Sequence, residues 1–561
     1  MAAAPQTDRF RAGGDLWLAA LAFLALAVAG TWPLGRALTS SLPGDYGDPL
    51  FVTWVMAWVA RHLTRALSGD VGALASMWDA PIFAPERNAL AFSEHFTGQA
   101  FQALPVYWLT GNPLLAYNVI FLSTFALSGL GAHLLVRELT GSRLGGLVAG
   151  ALFAVNDYRT ASISHLHTLS AHWVPLACVG LLIFARSGSR LALTGATLSV
   201  IALNASSGYY MLYLGPVIAA FGAVVLARRR TWRTRAGWIA LGASVAAVVL
   251  VELPLALPYL DLQRTQQFAR TRLEVESYSL TLDLYRDRLP YLAPMLLLSS
   301  ASLLAWRAKG VGLRWAIVFF AVAGGLGLWL SLGPVPRLNG APVGLPGLYD
   351  LLFTYVPGYS GLRVAQRFAM LLMLALSVLA GIGAAQLVRR AGCAGAAVVV
   401  AVAAAHLAVQ WMGPIALDGP LLAAGVHPTP LYLRPSAAVP EIYRFVAATE
   451  PSAVMAELPF GDPGYELRYM FFGLAHGRPL LNGYSGVFPR SYLERAALLK
   501  NPAASPGAAW AALTPATHVV VHTGAWDDAQ GAAIGEWLAR GGARVIAERD
   551  GAVLWHLPRS R

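Results

Sequence analysis

The sequence predicts an α-helical polytopic membrane protein of about eleven transmembrane helices, followed by a carboxy-terminal α/β domain. Three observations predict it. The 561-residue chain is 57% hydrophobic and only 12% charged, about half the charged fraction usual in soluble domains. Its apolar residues gather into long blocks. Its cations, nearly all arginine, recur at every second block end.

Runs of roughly 18 or more apolar residues are long enough to cross a bilayer core. Residues 16–34, 114–136, 209–227, 238–257, 315–332, 368–387 and 393–412 read this way. The shorter blocks 144–155, 172–185, 191–203 and 291–306 fit tilted or partly protein-buried spans. The first block follows Arg9 and Arg11. Its apolar stretch is long for a leader and no small-residue cleavage site closes it, so an uncleaved span is expected. Cys178 and Cys393 both fall inside spans, which excludes a disulfide framework and a CxxC metal site.

The arginine distribution orients the spans. Arg137 and Arg143, then Arg186 and Arg190, then Arg228, Arg229, Arg230, Arg233 and Arg235, then Arg307, Lys309 and Arg314, then Arg389 and Arg390 all fall on one side if eleven spans alternate. Short positive loops stay cytoplasmic. The amino terminus is therefore expected in the cytoplasm. A net charge of +12 laid out at alternate helix ends fits a membrane lipid environment and not a nucleic-acid partner.

The other side receives the longer segments 35–113, 156–171, 261–290, 333–367 and everything after 412. The chain divides into a transmembrane domain over 1–413, a proline-rich linker over 414–438 and an extracytoplasmic α/β domain over 439–561. In the last, 442–448, 465–474 and 529–540 read as helices. Residues 454–458, 518–522, 544–548 and 552–556 read as strands. No GxGxxG or P-loop appears, so no nucleotide site is indicated.

Candidate chemistry concentrates at the outer helix ends. The first outer segment opens Gly44-Asp45-Tyr46-Gly47-Asp48-Pro49. Residues 50–67 and 92–109 follow as aromatic, amphipathic stretches expected to lie in the membrane interface. Asp48 before Pro49 is a good helix start. It is also a carboxylate placed to take a proton from a hydroxyl. Asp45 in the same turn and Glu94, beside His95, are the further acid–base candidates. The second outer segment supplies Asp157 and Arg159, then His165, His167 and His172. Asp157, His165 and His167 could hold a divalent metal such as Mg or Mn, although their spacing matches no tight metal motif and no cofactor is certain.

Arg363 and Arg367, spaced i, i+4, should share one helix face and suit a phosphate, which guanidinium binds as a fork. Arg264, Arg270, Arg272, Arg286 and Arg288 lie in the preceding outer loop, where they could instead pair with Glu274, Glu276, Asp283 and Asp287. The turn 206–210 reads as an interfacial aromatic anchor. Glu252, near the outer end of its span, is expected to face a cavity. In the tail, 478–492 carries Asn482 and Tyr484, groups that hydrogen-bond or stack on sugar, with Gly483 and Gly486 permitting sharp bends.

Gly47-Asp48-Pro49-Leu50 with Trp54 and Trp58, Phe92-Ser93-Glu94-His95, and Pro357-Gly358-Tyr359-Ser360-Gly361-Leu362-Arg363 together resemble the glycosyltransferase C (GT-C) superfamily, in particular bacterial membrane proteins of this type. The resemblance covers 16–412 and, more loosely, the tail. It implies an inverting glycosyltransferase of the bacterial inner membrane. Such an enzyme takes a sugar from a polyprenyl-phosphate-linked donor and passes it to a glycan, lipid or protein acceptor outside the cytoplasm. It implies Asp48 as base, Asp157 at the second acidic motif, and His95, Arg159, Glu252, Arg363, Arg367, Asn482 and Tyr484 as substrate-binding candidates. Two departures stand out: no Asp-Glu pair follows the first span, and Asn156-Asp157-Tyr158 is not a full Asp-x-Asp. The competing readings are a transporter or lipid-handling protein without bond chemistry, and a non-catalytic envelope scaffold. A transporter predicts internal repeats and mid-span polar residues, whereas here the polar residues concentrate at outer helix ends.

Overall fold

The computed structural model describes residues 13–266, 269–307, 312–420 and 429–558. Arg9, Arg11, Lys309 and Pro428 lie outside them. Each of the eleven apolar blocks is helical. Among the described residues seven helices are long and apolar enough to cross a membrane, and Asp15–Gly30 is a shorter apolar helix. Two of the short blocks form helices of 12 and 17 residues, Arg143–Ala154 and Arg190–Ser206. The last two blocks belong to one 41-residue helix, Ala369–Val409, broken at Gly392 (φ 54°, ψ −129°). That merger and the short helices separate the seven long helices from the expected eleven spans.

The chain forms two compact units. One comprises Met1–Trp32, Phe121–Pro254 and Phe268–Pro414. Ala369–Val409 is its hub and packs on Arg143–Ala154, Leu289–Ser300 and Arg314–Ser331. Helices in lipid gain no hydrophobic drive from meeting, so close backbone approach through small residues supplies the contact. A Cβ on Gly381 would sit 2.6 Å from the Gly145 carbonyl, and one on Gly145 would sit 2.6 Å from the Gly381 carbonyl. A Cβ on Gly383 would overlap the Leu298 carbonyl at 1.9 Å. Arg186 donates to the Glu138 carboxylate (2.5 Å) and backbone carbonyl (2.8 Å), and Arg143 pairs with Asp15.

The other unit joins Pro33–Ile120, Leu255–Gln267 and Ile415–Arg561. Its sheet runs in the order Met455–Leu458, His518–His522, Ala552–His556, Arg544–Arg549. The first pair is parallel and the others antiparallel. The two strands Met455–Leu458 and His518–His522 are buried throughout, while the edge strand Arg544–Arg549 is mostly exposed. Charge on that edge blunts further strand pairing.

Within this unit two expectations are corrected. The described start of the proline-rich stretch is no free spacer. It is stitched to the first-loop turn through Gly44 N–H to Ala416 O (2.8 Å), Gly419 N–H to Gly44 O (2.9 Å) and Leu42 N–H to Asp418 Oδ1 (2.8 Å). The helix Asp48–Leu67 has its apolar side chains, Leu50 to Ala57 and Val59, buried in the unit, where it packs on Pro463–Gly473. Protein rather than lipid covers it. Thr97–Thr110, by contrast, leaves Phe101, Trp108 and Leu109 exposed.

Candidate functional site

The acidic turn begins at Gly44, which adopts φ 80°, a conformation open to glycine without steric penalty. Asp45 Oδ1 then accepts the Gly47 N–H at 2.7 Å, closing an Asx turn. Gly47 is the cap of the following helix, without a side-chain cap bond, and Asp48 is the first helical residue with Pro49 behind it. The cap position therefore belongs to Gly47. Asp45 and Asp48 are both half-buried, and the intervening Tyr46 is buried. Burial, helped by Asp418, pushes the Tyr46 hydroxyl up to about 12. Arg468 stands over its ring at 5.2 Å.

Glu94 is half-buried and precedes a buried His95. The His95 Nδ1 accepts the Thr97 N–H at 3.1 Å and meets the Thr97 hydroxyl at 2.7 Å. It thus satisfies a donor at the start of Thr97–Thr110, and burial lowers its pKa to about 4. The adjacent Ser93 carbonyl accepts the Tyr259 hydroxyl at 2.8 Å. Phe83 (φ 57°), Asn88 (φ 53°) and Phe96 (φ 46°) all sit in the left-handed region. Each is expected to cost about 1–3 kcal/mol, and such strain clusters at functional segments.

The tail segment predicted to contact sugar packs onto this same loop. The Phe83 N–H donates to Asn482 O (3.0 Å), the Ala84 N–H to Leu480 O (2.8 Å) and the Val487 N–H to Phe92 O (3.1 Å). Asn482 is fully buried. Its amide joins Glu457 N–H (2.7 Å), Glu457 O (3.0 Å) and Glu466 Oε1 (3.1 Å), which is a structural position inside the domain. Gly483 and Gly486 do not adopt positive φ. Gly483 is required because a Cβ there would sit 2.6 Å from the Phe83 ring, a close approach rather than a bend. Tyr484 is half-buried, edge-on to Phe51 (5.8 Å) and Phe488 (6.0 Å).

In the membrane unit, Asn156 caps the short helix Asp157–Thr160 by accepting the Arg159 N–H. Asp157 Oδ2 lies 3.3 Å from Arg288. Arg159 is wholly buried and donates to Leu169 O (3.1 Å) and Thr124 O (3.1 Å), with Phe125 4.8 Å beneath it. Burial lowers it to about 9, so it stays cationic at neutral pH. Its donors are directed to backbone carbonyls, which corrects the expectation of substrate binding. His165 is exposed, whereas His167 is buried and accepts from Arg367. Among the described residues no three His, Cys, Asp or Glu side chains stand together as a metal-holding group. With Asp157 on Arg288 and His167 on Arg367, the candidate metal set does not fit.

Arg363 and Arg367 do not share a helix face, because Arg363 lies in an extended stretch before the turn Ala365–Phe368. They meet at Tyr209 instead. The Arg363 N–H reaches the Tyr209 hydroxyl (3.4 Å), and the Arg367 guanidinium stands 3.9 Å over the Tyr209 ring. Glu274 Oε1 receives Arg270 at 2.6 Å and Arg363 at 3.4 Å. Burial lowers Arg270 below the usual arginine range. Three guanidinium groups thus gather on one carboxylate and one tyrosine. The turn 206–210, expected as an interfacial aromatic anchor, supplies Tyr209 to this cluster. The pairing of Arg286 with Asp283 and Asp287 and of Arg337 with Glu276 follows the reading of the loop charges as ion pairs. Glu252 lies in the 32-residue helix Arg235–Gln266, which continues past the expected span end at 257. Among the described residues its Oε1 has no hydrogen-bond partner.

No family model and no curated protein matches the chain. Solved structures do. The arabinofuranosyltransferase AftD from Mycobacteria is similar over 97% of this chain and 41% of its own, at 14% identity and a TM-score of 0.55. The chain thus spans about two fifths of that transferase. Also similar are the oligosaccharyltransferase AglB from Archaeoglobus fulgidus (12% identity, 91% of this chain and 69% of that one, TM-score 0.45) and ArnT from Cupriavidus metallidurans (13%, 96% and 97%, 0.45).

Proposed function

We propose that this chain, which has the fold of the GT-C glycosyltransferases, is itself a membrane glycosyltransferase. In this reading it moves a sugar from a polyprenyl-phosphate-linked donor to an acceptor on the outer face of a bacterial inner membrane. The observation that carries the reading is Asp48, a half-buried carboxylate at the first position of its helix, in a first-loop turn whose cap is another residue. It takes the proton of the acceptor hydroxyl. The acceptor oxygen then bonds to the anomeric carbon from the face opposite the phosphate. The anomeric C–O bond to phosphate breaks, and its electron pair leaves with the phosphate, so the product is inverted. Asp45 shapes the turn through its bond to Gly47, and Glu94 is a second carboxylate of the same loop. The leaving phosphate gains negative charge. Arg363 and Arg367 are suited to stabilise that charge, because guanidinium groups aimed at developing charge act without reorganising. No step is assigned to a metal.

The arginine clusters support a cytoplasmic amino terminus and an extracytoplasmic tail. With Cys393 replaced by serine, cysteines at Arg230 and at Glu536 should label from opposite sides of sealed vesicles. Labelling from one side would contradict that orientation. For the reaction, the chain is purified into vesicles with radiolabelled polyprenyl-phosphate sugars and envelope extract as acceptor. Label is expected to move to acceptor with inversion at the anomeric carbon. A folded chain that transfers no label from any of these donors would overturn the proposal.

A further inference from the structure

The tail domain contains a cavity of about 990 Å³ lined by residues between Phe460 and Gly541. This is at the upper end of the roughly 300–1,000 Å³ usual for small-molecule sites, which pair aromatic walls with a few polar groups. Three tryptophans line it, Trp510, Trp526 and Trp537, all left half-exposed. Trp510 and Trp537 stand nearly perpendicular (84°) with ring centroids 6.0 Å apart, so they form two walls of a corner. Trp537 is fixed by its Nε1–H to Pro506 O at 3.1 Å. Trp510 lies flat against Gly541, where an added Cβ would meet its ring at 2.2 Å. Both indoles are therefore held in orientation before any ligand arrives, which reduces the ordering needed on binding.

The polar groups are Lys500, Gln530 and Arg540. Lys500 is one of only two lysines in the chain. Its stem lies against Gly461, where a Cβ would meet its Cε at 2.7 Å, and no carboxylate pairs with it among the described residues. Arg540 is paired with Glu536 at 3.0 Å. Gln530 offers both a donor and an acceptor. A pyranose or furanose presents a C–H face to an indole and a rim of hydroxyls to amide and ammonium groups. An apolar peptide would not use the polar rim, and a lone phosphate would not use three indoles.

We infer that this cavity is a saccharide-binding site, distinct from the transfer residues, that holds an oligosaccharide portion of the acceptor or product. The inference concerns binding alone, and it can stand or fall separately from the transfer reaction. The test is a glycan array probed with the full chain in detergent, using wild type, the double variant Trp510→Ala/Trp537→Ala, Gln530→Ala and Asp48→Asn, with thermal unfolding to verify each fold. Wild type and Asp48→Asn are expected to give the same glycan signals. The double variant should lose at least tenfold and Gln530→Ala severalfold. Should the double variant fail to fold, the folded Gln530→Ala variant decides. Glycan signals that match wild type in the folded tryptophan or Gln530 variant, or a wild type that binds no glycan, would overturn the inference. Because Asp48→Asn is read for binding only, loss of transfer with intact binding separates failure of one reading from failure of the other.

Discussion

The membrane unit and the loop–tail unit bury polar groups for different reasons. In the membrane unit, Arg159 is sealed among aromatic rings and gives its donors to two backbone carbonyls, while Arg363, Arg367 and Arg270 gather around Tyr209 and Glu274. One buried arginine completes the fold, whereas the cluster gathers three guanidinium groups around one tyrosine and one carboxylate. In the loop–tail unit the buried amide of Asn482 and the imidazole of His95 serve the backbone around them. The half-buried carboxylates Asp45 and Asp48 stand at a turn stitched from residues 376 positions apart. The difference teaches that charge type does not identify a functional group here. The partners differ as well: backbone groups for Arg159, Asn482 and His95, a tyrosine and a carboxylate for the arginine cluster.

Two substitutions break that comparison most sharply. Arg363→Gln should lower kcat/KM for the donor about 10–100-fold, the worth of one hydrogen bond to a charged group at about 1.5–3 kcal/mol, with little change in Tm. Arg159→Met should do the reverse. It removes the buried hydrogen bonds of Arg159 to the Leu169 and Thr124 carbonyls, a loss of roughly 2–4 kcal/mol, read as a lower Tm with activity per folded molecule unchanged. If both variants change kcat/KM and Tm alike, the distinction between the two arginine environments is wrong.

A smaller effect is expected in the loop–tail unit. Gly483→Ala places a Cβ against the Phe83 ring, and Phe83 is fully buried in a left-handed conformation, so it has little room to yield. Overpacking of this kind costs about 1–3 kcal/mol. Limited proteolysis should cut the tail faster in the variant, while Gly486→Ala, whose Cβ would meet nothing closer than 3.5 Å, should behave as wild type.

The smallest effect is a pH dependence. His95 is held neutral in the folded chain by burial, at about 4, while an unfolded histidine titrates near 6.5. Between those values the unfolded chain binds a proton that the folded chain refuses. The stability from a neutral His95 is therefore complete above about pH 6.5 and is lost as pH falls toward about 4. Wild type should lose stability relative to His95→Asn across that window and run parallel to it above pH 7. Parallel curves throughout would remove His95 from the acid response.

The helices of the membrane unit were legible because hydropathy is a local property. Each block could be read without knowing its neighbours, and even the break at Gly392 falls where two blocks were separated. The tail strands were legible for the same reason, as in the three consecutive valines of His518–His522. What was not legible depends on distant partners. Nothing near Leu42 signals that Asp418 will bond to its N–H, and nothing near Asn482 signals that Phe83 will pair with it. The same limit misplaced the helix Asp48–Leu67, whose amphipathic pattern fits a lipid surface or a protein surface equally. Arg363 and Arg367 were misread because the helix begins only after Val364. Tyr209 was missed because an aromatic at a span end has a common lipid role.

The central claim, that the first-loop carboxylate is the base of a sugar transfer, is tested most directly by Asp48→Asn. Transfer from the polyprenyl-phosphate-linked donor and thermal unfolding are measured on the same purified sample. A positioned general base contributes about 10²–10⁴-fold, so the account predicts a loss of that size with donor binding and Tm close to wild type. A variant that transfers at the wild-type rate, whether or not its Tm has fallen, would contradict it.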